Sequence, residues 1–274
     1  MIDQIQKNNV NVNLLWTGGW DSTFQLLQLL LIYKVSVTPF YLIDKTRRST
    51  LKEIESMSKI KNQLISEYPY VKKLIKATRY HSVDDISPNK TITDSFQSLL
   101  KKAKIGIQHE WLARFCFEHG IENMQLSVEA AIILKPTQFF GNHIKPFLIT
   151  KKIGNQEVYL LDSKLKNCDE YNVFKYFIFP VIYLTKVQMN EIVNKKGWMK
   201  IMEMTWFCHN PIHNDKPCGI CRPCIVLQEE SFGWRIPARR RFISTYKRKI
   251  FWPFKSMVKS NLVKMGLFSN KMQV

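Results

Sequence analysis

Val12-Asn13-Leu14-Leu15-Trp16-Thr17-Gly18-Gly19-Trp20-Asp21-Ser22-Thr23 is the stretch that decides the fold of this chain. Val12 to Trp16 form a short apolar run bounded by polar residues, the pattern of a buried strand. Gly18 and Gly19 follow, where a strand has to turn sharply and admit a ligand to the backbone with no Cβ in the way. From Asp21 onward the apolar residues recur at helical spacing, with Phe24, Leu27 and Leu31 on one wide face. Asp21 or Ser22 is the expected N-cap. Strand, glycine turn and helix start together make an anion site, because unpaired backbone N–H groups and the positive end of the helix dipole converge on one spot. Thr17, Ser22 and Thr23 add hydroxyl groups around it. The loop lacks the lysine of a Walker A sequence, and its glycines do not follow dinucleotide spacing. The competing reading is a plain glycine turn ahead of a core helix.

Outward from that loop, the apolar pattern alternates between strand and helix. Residues 35–43 form a second strand-like run ending at Asp44, and residues 71–77 predict a third strand. Between them, Leu51, Ile54, Met57, Ile60 and Leu64 give residues 49–67 a helical period, with Glu53 and Glu55 on its solvated face. Residues 108–119 predict another helix, and residues 124–127 another strand. Such alternation implies parallel βαβ units in a doubly wound α/β sheet, whose ligands bind at the carboxyl ends of the strands. Tyr41, Leu42 and Asp44 therefore end near the first loop, although Asp44 equally suits a turn. Ser127 and Glu129 stand at a further strand end. Lys186 opens a helix over residues 187–196, either to neutralise phosphate charge or to sit in solvent.

Cys208, Cys218, Cys221 and Cys224 carry the second signal. Two overlapping Cys-x-x-Cys steps in one turn, with Gly219 inside it and one cysteine upstream, present four thiolates to a tetrahedral Zn²⁺. His209 and His213 could each stand in for one sulfur. A redox pair needs only one such step. A secretory disulfide framework is disfavoured because no apolar leader opens the chain at Met1-Ile2-Asp3-Gln4. Cys116 and Cys168 are expected to be inert.

Residues 16–23 resemble the SGGxDS signature of the PP-loop ATP pyrophosphatases, with Thr17 in place of the usual serine. Members of that superfamily have a Rossmann-like (HUP-type) sheet and cleave ATP to AMP and pyrophosphate. Thr205-Trp206-x-Cys208, Cys218-Gly-x-Cys221-x-Pro-Cys224 and Phe179-Pro180-Val181-Ile182-Tyr183-Leu184-Thr185-Lys186 are similar to segments of 7-cyano-7-deazaguanine synthase. Together the likeness covers roughly residues 11–232. It implies ATP with Mg²⁺ held by residues 17–23, and adenine and ribose contacts at Tyr41, Leu42 and Asp44. It further implies roles for Asp21, Ser22 and Lys186 in the chemistry, and a structural Zn²⁺. The reaction so implied adenylates a carboxylate, 7-carboxy-7-deazaguanine or a relative, for attack by ammonia or another nucleophile. Where that family carries an Arg-Asn pair, the nearest stretch here is Ile107-Gln108-His109-Glu110-Trp111. Two other readings stay open: a PP-loop enzyme modifying nucleic acid or a protein partner by the same activation, and a nucleotide-binding protein without turnover.

A chain of 274 residues, 45% of them hydrophobic, can bury a sizeable core. The expected organisation is a nucleotide-binding domain over residues 1–200, a zinc-binding segment over 201–232 and a basic aromatic tail over 233–274. No apolar run is long enough to span a bilayer, so a cytoplasmic location is expected. The net charge is +19, and from residue 233 onward there is no Asp or Glu. Arg239, Arg240, Arg241, Lys247, Arg248 and Lys249 there are interleaved with Phe242, Tyr246, Phe251, Trp252 and Phe254, and Lys255, Lys259, Lys264 and Lys271 follow. Such a tail suits nucleic-acid phosphates or an anionic membrane surface, or it is a docked or solubilising end. A homodimer is one possible assembly.

Overall fold

The computed structural model of the chain describes residues 10–130, 140–153, 156–212, 216–230 and 232–251. Residues 1–4, His213 and the tail residues Trp252, Phe254, Lys255, Lys259, Lys264 and Lys271 lie outside that set. The chain divides into two compact units, residues 1–206 and residues 207–274.

The first unit is an α/β sheet built in the expected order. Strand β1 (Asn11–Leu15) leads through the glycine loop to helix α1 (Trp20–Leu27), which runs into a wider helical turn, Gln28–Ile32. Then come β2 (Ser36–Ile43), α2 (Thr50–Glu67), the short α3 (Val71–Leu74) and β3 (Arg79–Ser82). Helices α4 (Lys90–Lys102) and α5 (Gln108–Glu118) carry the chain to β4 (Met124–Gln125). Beyond it lie α6 (Phe140–Ile144), the hairpin β5 (Leu148–Ile153) and β6 (Gln156–Leu161), and α7 (Asp169–Phe174). Strand β7 (Phe177–Ile178), α8 (Lys186–Lys196) and α9 (Met199–Met202) complete the unit. The strand order is β3-β2-β1-β4-β7-β6-β5. Strands β3, β2, β1, β4 and β7 run parallel, and β6 is antiparallel to both of its neighbours.

Alternation along β1 sends Leu14 and Leu15 to opposite faces, and both are buried, as a sheet covered on two sides requires. Leu15, Phe40 and Leu42 join Phe96, Leu99, Leu112 and Phe115 in one core beneath α4, α5 and α7. On the other side α1 packs with α8 and α9, and Phe24 meets Trp198 edge-on at 6.4 Å. Each fully buried side chain of this size contributes about 1.5–3 kcal/mol.

The third strand is not at residues 71–77. Val71, Leu74 and Ile75 recur at i, i+3 and i+4, and after Pro69 they form a helical turn that buries Val71 and Ile75 and leaves Lys72 and Lys73 exposed. The strand itself is Arg79–Ser82, a polar edge strand with no apolar signature. Glu53 is not on a solvated face either. It is 5% exposed and accepts hydrogen bonds from the Tyr41 hydroxyl at 2.8 Å and the Ser49 hydroxyl at 2.6 Å. Glu55 is on the solvated face, between Lys52 and Lys59.

The second unit holds the four cysteines, α10 (Arg222–Glu229) and α11 (Ala238–Tyr246), followed by a wide helical turn, Lys247–Phe251. Its boundary falls at Phe207, and the first part of the stretch expected to be a tail is folded against the cysteine turn. Arg240 Nε donates to the Cys218 carbonyl at 2.8 Å, and Gln228 Nε2 reaches the Gly219 and Cys224 carbonyls and the Ser244 hydroxyl. No helix among the described residues is long and apolar enough to cross a membrane.

Candidate functional site

The glycine loop leaves the carboxyl end of β1 where the strand order reverses. The chain moves from β1 out to β2 and β3, then returns to place β4 on the other flank of β1. In a parallel sheet, the loops after two such strands open a crevice between them. Here those loops are residues 16–19 after β1 and residues 126–130 after β4.

Helix α1 begins earlier than the capping pattern predicts. Gly19 is its N-cap, in extended conformation and without a side-chain cap, so neither Asp21 nor Ser22 plays that part. The first intrahelical bond runs from the Thr23 N–H to the Gly19 carbonyl at 3.0 Å. Residues 20–22, ahead of it, are the first turn, which precedes the intrahelical ladder. Ser22 Oγ accepts from the Thr17 N–H and donates to the Gly19 carbonyl, both at 3.4 Å, and so ties the turn together. Gly18 has φ +67°, and a Cβ there would meet the Glu53 carbonyl and Met57 Cγ at 3.1 Å. Only glycine lets the loop lie this close on α2. From the other side, the Trp206 N–H donates to the Gly18 carbonyl at 2.9 Å.

The individual loop residues are not equivalent. Thr17 is exposed beside the crevice. Thr23 is fully buried, and its hydroxyl accepts from the Trp16 indole at 3.0 Å, so it serves the core under the loop. Trp20 is buried as well. At the end of β2, Tyr41 and Leu42 are buried, with the Tyr41 hydroxyl committed to Glu53. That commitment and burial push the Tyr41 phenol above its usual range. Asp44 forms a turn: Oδ1 accepts from the Thr46 N–H at 2.9 Å and from the Thr46 hydroxyl at 2.6 Å, and Arg47 lies 3.7 Å from Oδ2.

Asp21 and Lys186 carry the electrostatics. Asp21 Oδ1 is sealed from solvent and has no hydrogen-bond partner. Burial raises the Asp21 carboxyl above the ordinary carboxylate range, and the Lys186 charge opposes that rise. Lys186 is the first residue of α8, whose start is fixed by a capping box between Thr185 and Gln188. A cation at a helix N-terminus works against the dipole. Its compensation is an ion pair with Glu129 from the loop after β4, the two side chains being 11% and 12% exposed. Ser127 Oγ, in the same loop, is also buried without a partner. The structure therefore brings Asp21, Lys186 and Glu129 together from three separate segments. The sequence marks Glu129 by no more than its strand-end position, because a carboxylate beyond a two-residue strand has no periodic signal.

His109 is a core residue. It is buried against Phe140 and Phe174, its Nδ1–H donates to the Gly106 carbonyl at 2.8 Å, and burial lowers its pKa to about 4. Cys116 is fully buried, with its thiol pushed up to about 12, and Cys168 is raised in the same direction by partial burial.

In the second unit the Sγ atoms of Cys208, Cys218, Cys221 and Cys224 all lie within 4.8 Å of one another. Two of the separations are 3.9 Å. Zn–S bonds of about 2.3 Å in a tetrahedron put sulfurs roughly 3.8 Å apart, so the cluster fits a single ion. An iron–sulfur cube would hold its thiolates at the corners of a larger tetrahedron. The Cys218 and Cys221 N–H groups donate to the sulfurs of Cys208 and Cys218, each at 3.2 Å, which favours thiolate ligands. Gly219 has φ +79°, and a Cβ there would meet the Arg240 carbonyl at 2.8 Å.

No family model and no curated protein matches the sequence. Among solved structures, the chain is similar to the U34-tRNA thiolase NcsA from Methanococcus maripaludis with its 4Fe-4S cluster. The identity is 14% and the TM-score 0.39, over 89% of this chain and 73% of that one.

Proposed function

We infer that this protein is an adenylating enzyme that binds ATP at residues 17–23 and activates a small-molecule carboxylate, releasing pyrophosphate. The observation that carries the reading is the first turn of α1, which has no side-chain cap and is set at the strand-order reversal beside the sealed Asp21 Oδ1 and the Glu129–Lys186 pair. The loop N–H groups and the helix dipole would hold the departing pyrophosphate. Lys186, aimed by Glu129, would balance the charge that develops on the phosphates. The partnerless Asp21 Oδ1 suits an Mg²⁺ ion, which supplies charge neutralisation to the triphosphate when bound. A substrate carboxylate oxygen attacks the α-phosphorus, the bond from the α-phosphorus to the bridging oxygen breaks, and pyrophosphate leaves. Ammonia, or another nucleophile, then attacks the acyl carbon, AMP leaves with the C–O electron pair, and a proton passes to solvent or a nearby base.

The finer reading is the nitrile-forming reaction of 7-cyano-7-deazaguanine synthase. It is supported by the cysteine turn and by the 179–186 segment that delivers Lys186 to the crevice. The test follows AMP and pyrophosphate release from ATP with 7-carboxy-7-deazaguanine and ammonium, with the base analysed by mass spectrometry. Release that requires the base, with an amide or nitrile as product, is the expected result, and Lys186→Met should lower it by at least about a hundredfold, the scale of one lost charge-stabilising group. AMP release that needs RNA or a protein in place of the base would move the activity to macromolecular modification. No AMP under any of these conditions would leave a binding protein without turnover.

A further inference from the structure

Helix α11 has two unlike faces. Arg240 and Ser244 turn inward to the cysteine turn and α10, and Arg248 in the following turn pairs with Glu229 at 2.6 Å. Outward, Phe242, Tyr246 and Ile250 follow at i, i+4 and i+8 and are 74%, 50% and 56% exposed. Residues three or four apart on a helix are neighbours, so these side chains form one stripe. Arg239 is one turn before Phe242 and Lys249 is one turn after Tyr246, and both are exposed. A cleft lined by Phe242, Ile243, Tyr246 and Lys247, among the described residues, runs along this side. Residues 233–251 contain seven cations and no carboxylate. Three of the cations are used internally: Arg235 lies over the Phe207 ring at 5.1 Å, and Arg240 and Arg248 are bonded as above.

We propose that the outward face of α11 binds single-stranded nucleic acid, with bases stacking on Phe242 and Tyr246 while Arg239 and Lys249 contact the phosphates. The arrangement of charge decides between the two anionic partners that such a composition suits. A helix that lies in a membrane interface keeps its cations at the rim of an uninterrupted apolar face. Here Arg239 stands three residues before Phe242 and Lys249 three residues after Tyr246. Cations thus break into the apolar stripe, giving the mixture of backbone-tracking charge and stacking rings by which single strands are bound. The seven cations of residues 233–251, with no carboxylate among them, provide the accompanying long-range attraction. This inference stands on the second unit alone and does not depend on adenylation.

Fluorescence anisotropy of the full chain with a labelled single-stranded RNA of about 20 nucleotides, without ATP, tests it. Phe242→Ala and Tyr246→Ala should each weaken binding about fivefold or more, the low end of what one stacked base contributes. Replacing both Arg239 and Lys249 with Gln should lower the slope of log K against log salt by about 1.4, from roughly 0.7 per phosphate contact. Zinc content should stay at the parent level, since these side chains face away from the sulfurs. Ring variants that bind like the parent would overturn the proposal. So would a duplex of equal length binding as tightly, or phosphatidylserine vesicles captured through Phe242 and Tyr246 with no RNA bound.

Discussion

The glycine-loop unit and the cysteine unit solve the same problem, holding a tight backbone turn in place, by different means. The Gly18 turn rests on a large apolar core: Trp16, Phe24, Leu26 and Leu27 lie beneath it, and α2 presses on it through Glu53 and Met57. The Gly219 turn has little such support. Among its described residues, Leu227, Phe232 and Ile236 are the buried apolar side chains besides three of the cysteines, and polar contacts from Gln228 and Arg240 do the rest. A core of that size cannot offset the ordering of its chain, which runs at about 1–2 kcal/mol per residue for the backbone alone. The first turn can therefore leave polar atoms open to the crevice, whereas the second commits Gln228 and Arg240 to bracing the cysteine turn.

The largest effect should follow from breaking the sulfur cluster. Cys221→Ser is expected to remove the metal and unfold residues 207–251, since structural zinc contributes about 10–16 kcal/mol at neutral pH. The sheet should keep a melting transition of its own. Metal analysis and calorimetry check this, and a Cys221→Ser protein with full metal content and one unchanged transition would refute the assignment.

The two loop glycines sharpen the contrast within the first unit. Gly18→Ala should cost at least about 1–2 kcal/mol from the left-handed backbone, with the 3.1 Å contact to the Glu53 carbonyl added. Gly19 is extended, and its Cβ would meet only Thr17 Oγ1 at 3.3 Å and the Trp206 carbonyl at 3.7 Å. Gly19→Ala should therefore melt close to the parent while still impairing ATP cleavage, because the added methyl stands at the mouth of the first turn. Equal melting of the two variants would show that the Gly18 geometry is not what shapes the loop.

The smallest effect on stability concerns Asp21. Its folded-state pKa lies above the unfolded value, so the folded chain binds the extra proton and stability declines as pH rises through that window. At neutral pH without Mg²⁺ the buried charge is a cost, and Asp21→Asn should melt higher while losing ATP cleavage. Removing Lys186 takes away the charge that holds the Asp21 pKa down. The acidic limb of the residual activity of Lys186→Met should accordingly move to higher pH. A limb that stays in place would separate Asp21 from the ionisation that governs turnover.

How far the sequence could be read varied along the chain with the strength of its local pattern. The β1–loop–α1 segment and α2 announced themselves, because apolar periodicity and glycine placement are local properties. Residues 71–77 misled, because Val71, Leu74 and Ile75 fit a helical turn as well as a strand and only the position of Pro69 and the neighbouring sheet chose between them. Strand β3 had no apolar signature: it is the polar segment Arg79–Ser82, and nothing in its composition marks a sheet edge. Glu53 looked solvated for the same reason, since its burial depends on Tyr41 and Ser49 arriving from elsewhere.

By itself the sequence determined the parallel α/β plan, the glycine loop and the four-cysteine cluster, because each is set by the spacing of residues along continuous stretches of chain. Tertiary structure alone decided that Lys186 meets Glu129 beside Asp21, that Thr23 belongs to the core, and that residues 238–246 dock on the cysteine turn. The Lys186–Glu129 and Arg240–Cys218 pairings join residues 57 and 22 apart, and no local pattern encodes which distant groups burial will force together.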